Sequence, residues 1–182
     1  MSGFSRWSSL FWGISLAAVL LHSSAFAQRY DPSKPCSEGQ RRQFDFWLGS
    51  WDVTWPASSH GPAGSGRDNV QKILANCAVQ QNFAPDTSAL RATSISTYVP
   101  ETAQWKQIWV DNEGHSRDLT GASKNSEVVL SGQTEVNGKK VLQRSVWKNI
   151  KPMELDCTWE QSEDGGQTWQ VLWPMHYTRH KQ

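Results

Sequence analysis

Residues 127–147 read EVVLSGQTEVNGKKVLQRSVW. Two β-prone runs, 127–134 and 139–147, flank Asn137-Gly138. Asn-Gly between such runs is a strong hairpin signal, because both central positions of the tight turn need positive φ. The same grammar extends outward on both sides. Upstream, Trp105-Lys-Gln-Ile-Trp-Val-Asp111 alternates between two faces, and Asn112-Glu113-Gly114 turns it into 115–121. Residues 89–99 alternate polar and apolar before Pro100, and 69–83 is long enough for a bent strand or a hairpin. The stretch 58–66, with Gly61, Pro62, Gly64 and Gly66, reads as a loop. Leu48-Gly-Ser-Trp-Asp-Val-Thr-Trp55 puts Trp51, Val53 and Trp55 on one face. Downstream, strands near 153–161 and 168–179 flank Gly165-Gly166. A short helix is expected over 38–46, and no long stretch has helical period. About 8–10 antiparallel strands in one domain of this size predict an all-β fold, a closed barrel or a sandwich.

The chain opens with a short segment charged only at Arg6, then an apolar run over 10–21, then Ala25-Phe-Ala27. That order is a secretory signal peptide cleaved after Ala27. Twelve apolar residues at about 1.5 Å each fall short of a hydrocarbon core of about 30 Å, so no stable membrane anchor is expected after processing. The expected organisation is a signal peptide over 1–27, an arm over 28–43 and the barrel over 44–182. The periplasm or the outside of the cell is the expected destination. Removing 27 of 182 residues leaves 155, enough for one cored domain. The leader removes one Arg and no acid, so 17 basic and 17 acidic residues balance in the remainder. Such neutrality argues against nucleic acid as a partner.

Export makes a disulfide plausible among the three cysteines. Cys36 precedes the first strand and Cys77 lies in the next long β segment, which favours a Cys36–Cys77 bridge. Cys157 alternates with Leu155 and Trp159, as a buried free thiol would. No CxxC pair exists, His176 and His180 are only a weak metal signal, and no metal or cofactor is expected. Signatures of nucleotide binding, metalloproteases or nucleophile elbows do not occur.

Ser162-Glu-Asp164-Gly-Gly166-Gln-Thr168-Trp169 resembles the Asp-box of sialidases and other β-propellers. It occurs once, which implies a structural turn: Asp164 accepts backbone N–H bonds, Gly166 supplies positive φ and Trp169 packs beneath. Nine tryptophans lie beyond residue 27, and most are expected in the core. Trp105, Gln107 and Trp109 share a strand face that suits a half-polar pocket. Strand register joins them to Ser94, Ser96 and Tyr98 as a ligand wall, with Arg144 as a charge for an acidic ligand head.

Phe44-Asp-Phe-Trp-Leu-Gly-Ser-Trp-Asp-Val53 resembles the opening of a secreted bacterial family of unknown function grouped with the lipocalin-like, or calycin, β-barrels. The similarity continues through Cys77, Ser94, Tyr98, Trp105, Gln107, Trp109, Asp111, Gly121, Arg144 and Trp159 to Tyr177 and Arg179. It implies a lipocalin-like barrel in which Gly49-Ser50-Trp51 is the Gly-x-Trp of the first strand. Trp51 then stacks against a late-strand arginine, with Arg179 the natural candidate and Arg144 the alternative. The leading functional reading is an exported barrel that binds a small, partly apolar molecule. A barrel enzyme (isomerase, cyclase or hydrolase), a nitrobindin-like haem protein and a structural envelope protein are the alternatives.

Overall fold

A computed structural model describes Cys36 and residues 39–181. The leader expected over 1–27 and most of the 28–43 arm lie outside the described residues. Ten strands follow in chain order: β1 Gly49–Trp55, β2 Gly64–Ile73, β3 Ala78–Pro85, β4 Ala92–Val99 and β5 Gln104–Asp111, then β6 Ser116–Lys124, β7 Glu127–Val136, β8 Lys139–Lys148, β9 Glu154–Ser162 and β10 Gln170–Arg179. Each pairs antiparallel with its sequence neighbour, and β1 pairs with β10 to close the sheet. The result is the closed antiparallel barrel expected, consistent with a lipocalin-like architecture. Closure leaves no strand edge unpaired, which removes the usual route to edge-to-edge association.

Turn chemistry sets the register. Asn137 and Gly138 have φ of 50° and 76°, and Val136 pairs with Lys139 across them. Gly114 has φ of 89° in the β5–β6 turn, where Val110 faces Ser116. The 69–83 segment is a hairpin: Leu74, Ala75 and Asn76 all adopt positive φ between β2 and β3. Two expectations need correction. The loop over 58–66 ends early, because β2 already begins at Gly64. A Cβ at Gly64 would strike the Trp55 ring, and one at Gly66 the backbone of Ala84 and Pro85. These glycines mark close approach inside a strand, not a loop. The helix expected over 38–46 is two short 3-10 turns, Gly39–Arg42 and Asp45–Trp47.

Inward side chains alternate with outward ones, and the outer face carries ion pairs such as Arg67–Asp52 and Lys106–Asp118. The segment before β1 plugs one end of the barrel. Phe44 lies 4.6 Å from Trp105 and 5.4 Å from Trp147, ring centre to ring centre, and Trp47 lies 5.3 Å from Trp147. Beside this plug, the Arg179 guanidinium sits 3.8 Å from the centre of the fully buried Trp51 ring. It donates to the carbonyls of Phe46, Leu48 and Pro152, while the Trp51 indole donates to the Trp47 carbonyl at 2.7 Å. Arg179, not Arg144, is therefore the barrel-closing arginine. Gly49 is required next to it, since φ is 116° and a Cβ there would collide with the guanidinium. Cys36 and Cys77 form the disulfide, tying the N-terminal segment to the start of β3, and Cys157 is a buried free thiol.

Candidate functional site

The plugged end and the open end of the barrel enclose a cavity of about 130 Å³. Trp47 from the plug and Trp147 from β8 form its floor. Phe83, Trp109, Trp159 and Trp173 give it aromatic walls, and Gln81, Gln107 and Ser145 add polar groups. The lining passes from buried residues at the floor to half-exposed Trp109, Arg117 and Trp173 near the open end. Arg117 is the second residue of β6 and pairs directly with Trp109. Its side chain donates to the Ser116 carbonyl, and among the described residues it makes no ion pair. The cavity is smaller than the several hundred Å³ of a drug-sized site. It is far larger than a packing void, and about 150 Å³ suffices for one six-membered ring.

A second cavity of about 460 Å³ lies at the open end, bordered by Trp55, His60, Pro62, Leu90 and Trp173. Trp173 lines both cavities. Edge-on contacts to Trp55 and Phe83, at 5.2 and 5.6 Å, hold that indole as their shared wall.

Behind the cavity wall runs a buried polar ladder. Gln81 donates to Asp68 at 2.7 Å, Ser94 donates to Gln81 at 2.8 Å, and Gln107 donates to Ser96 at 2.9 Å. The chain crosses β2, β3, β4 and β5 on their inner faces. Its end, Asp68, is fully buried, and the Oδ1 atom has no partner among the described residues. Burial pushes the Asp68 carboxyl up to about 7, against the opposing hydrogen bond from Gln81. Burial, with Asp68 nearby, also raises the Tyr177 phenol and the Cys157 thiol well above their usual ranges. Neither is a reactive nucleophile at neutral pH.

The six residues expected to form a ligand wall divide in two. Gln107 and Trp109 line the cavity. Ser94 and Ser96 are buried in the ladder, bonded to the two glutamines rather than open to the lumen. Trp105 and Tyr98 face inward at the plugged end, where Trp105 donates to Gln43 at 3.0 Å and Tyr98 packs edge-on against it. Arg144 is a correction: it stands on the outer face of β8. There it pairs with Glu160 through two nitrogens, at 2.7 and 2.6 Å, and stacks on Trp169 at 3.9 Å. Alternation along β8 sends Gln143, Ser145 and Trp147 inward and Arg144 outward. The inward cation is Arg117. The pairing of Trp109 with it follows from centring the β5–β6 register on Glu113, a signal already present in the sequence. Asp68 was hidden by the misplaced start of β2; once that strand includes 66–70, Gly66, Asp68 and Val70 share the inner face.

The Asp-box-like segment forms a hydrogen-bonded turn between β9 and β10. Asp164 accepts the Gln167 and Thr168 amides and the Ser162 and Thr168 hydroxyls, and Gly166 has φ of 93°. His176 and His180 are on separate partners, Asp156 and Asp52. Haem does not fit the internal cavity, which is too small for a porphyrin and has no histidine in its lining. Comparison with models of known protein families gives no match, and comparison with curated proteins gives no relative.

Proposed function

We propose that this chain is an exported, lipocalin-like barrel that binds a small, largely apolar molecule in its lumen. The internal cavity of about 130 Å³, walled by aromatic side chains and graded toward the open end, carries the reading. A barrel interior filled for stability alone is close-packed and leaves only voids near the size of a water. This one keeps room for about one ring. The polar ladder holds Gln81 and Gln107 in fixed orientations in the cavity lining, so the polar part of the wall is preorganised for a ligand. The leader-like segment at 1–27 and the Cys36–Cys77 bridge support passage to an oxidising compartment. The FDFWLGSWDV opening supports membership of the secreted calycin-like family it resembles.

Native mass spectrometry of the protein recovered from its own host's envelope or medium tests the reading. The expected spectrum contains a species heavier than the processed chain by one small molecule, released on collisional activation. A chain found only in its unliganded mass, and unchanged by added small aromatic compounds, would refute lumen binding.

A further inference from the structure

We propose that the ligand is a planar acid of a single ring, its carboxylate paired with Arg117 and its ring held among Phe83, Trp109 and Trp173. This rests on the lumen-binding reading and names the ligand class for the same cavity.

Volume sets the size. About 130 Å³ is close to the roughly 150 Å³ that holds one benzene ring, so the cavity takes no more than a single ring, with its carboxylate at half-exposed Arg117 near the open end. Extension into the larger cavity at the open end is blocked by Trp173, fixed between Trp55 and Phe83. Shape follows from the walls, since indole and phenyl faces favour a flat partner through offset or edge-on contact.

Charge follows from the lining. Arg117 is the charged residue that borders this cavity. Asp111, two residues beyond Trp109 on β5, is committed to the turn: it accepts the Glu113 and His115 amides at 2.9 Å and lies 3.0 Å from the His115 ring nitrogen. The guanidinium therefore has donors to spare, and its planar fork matches a carboxylate. Glu160, by contrast, already occupies Arg144 outside the barrel.

Calorimetric titration of the exported protein with toluene, benzamide and benzoate tests the assignment at pH 7. Benzoate is expected to bind at least tenfold tighter than benzamide, which has nearly the same shape without the charge. In Arg117→Gln that preference disappears, and Arg117→Lys restores part of it. Among the described residues the Arg117 side chain makes one hydrogen bond, to the Ser116 carbonyl, so these variants are expected to keep the wild-type melting temperature. Equal binding of benzoate and benzamide, or a preference that survives Arg117→Gln, would overturn the acid while leaving lumen binding intact. If neither toluene nor benzoate binds, both readings fall together.

Discussion

Asp68 brings a carboxyl into a wall otherwise made of amides and hydroxyls. Gln81 supplies one firm hydrogen bond, and the second oxygen is left unpaired. The charged form is therefore poorly solvated, and burial holds the carboxyl near 7 instead of its ordinary 3.8. A raised acid pKa in the fold has a definite sign. Below pH 3.8 the folded and unfolded chains both hold the proton, and nothing is lost. Between pH 3.8 and about 7 the unfolded chain gives up the proton while the folded one keeps it, so stability falls as pH rises. Above pH 7 the deficit is constant. At about 1.4 kcal/mol per unit it amounts to roughly 4 kcal/mol. Asp68→Asn removes the titration. Urea denaturation at pH 4 and pH 8 is expected to show the variant gaining on the wild type by up to about 4 kcal/mol at the higher pH. A difference that does not change with pH would show that Asp68 ionises normally in the fold. Arg179 is the opposite case: a charge at the plugged end, kept by three carbonyls and the face of Trp51.

The β9–β10 hairpin shows how one element reshapes the pattern of its neighbours. Its turn lays Trp169 over the outer face of β8, against Arg144 and close to Leu142 across Gly166. Val146, Thr158, Glu160 and Ser162 are buried as well, although all four point away from the lumen. Both faces of β8 thus mix apolar and polar residues, and alternation alone does not say whether Gln143 or Arg144 looks inward. This is why Arg144 read as a lumen residue, whereas β5, with Trp105, Gln107 and Trp109 on one side, was legible at once. The turn depends on Asp164, whose carboxyl is held well below its ordinary range by the Thr168 hydroxyl and amide and by Ser162. A depressed acid pKa gives order that is present above the unfolded value and lost as pH falls through the folded one. Asp164→Ala is expected to abolish hydrogen-exchange protection at the Gln167 and Thr168 amides and to loosen Trp169, while β5 keeps its protection. Retained protection at those two amides would show that the glycines alone fix the turn.

At the scale of the molecule, nine consecutive strand pairings and one closing pair were within reach of the sequence, because each turn sets the register of the next strand. Asn137-Gly138 and Asn112-Glu113-Gly114 did this for β5 through β8. How full the lumen is was not legible, since it depends on side chains from before the first strand. Phe44 and Trp47 occupy the end that Trp105 and Tyr98 would otherwise leave open, and only the remaining half stays hollow. The Cys36–Cys77 bridge anchors this plug. It closes a loop of 41 residues, for which the chain-entropy model gives about 3–4 kcal/mol of stabilisation. Reduction is therefore expected to lower the unfolding free energy extrapolated to zero urea by about 3–4 kcal/mol and to bring the urea midpoint down with it. Thiol counting supplies the parallel check. The folded, oxidised protein should react with no thiol reagent, because Cys157 is buried and its thiolate disfavoured. Unfolding without reductant should expose one thiol, and unfolding with reductant three. A thiol that reacts in the native state would place Cys157 at an opening in the wall. A midpoint indifferent to reduction would mean that the plug holds its seat through Phe44 and Trp47 alone.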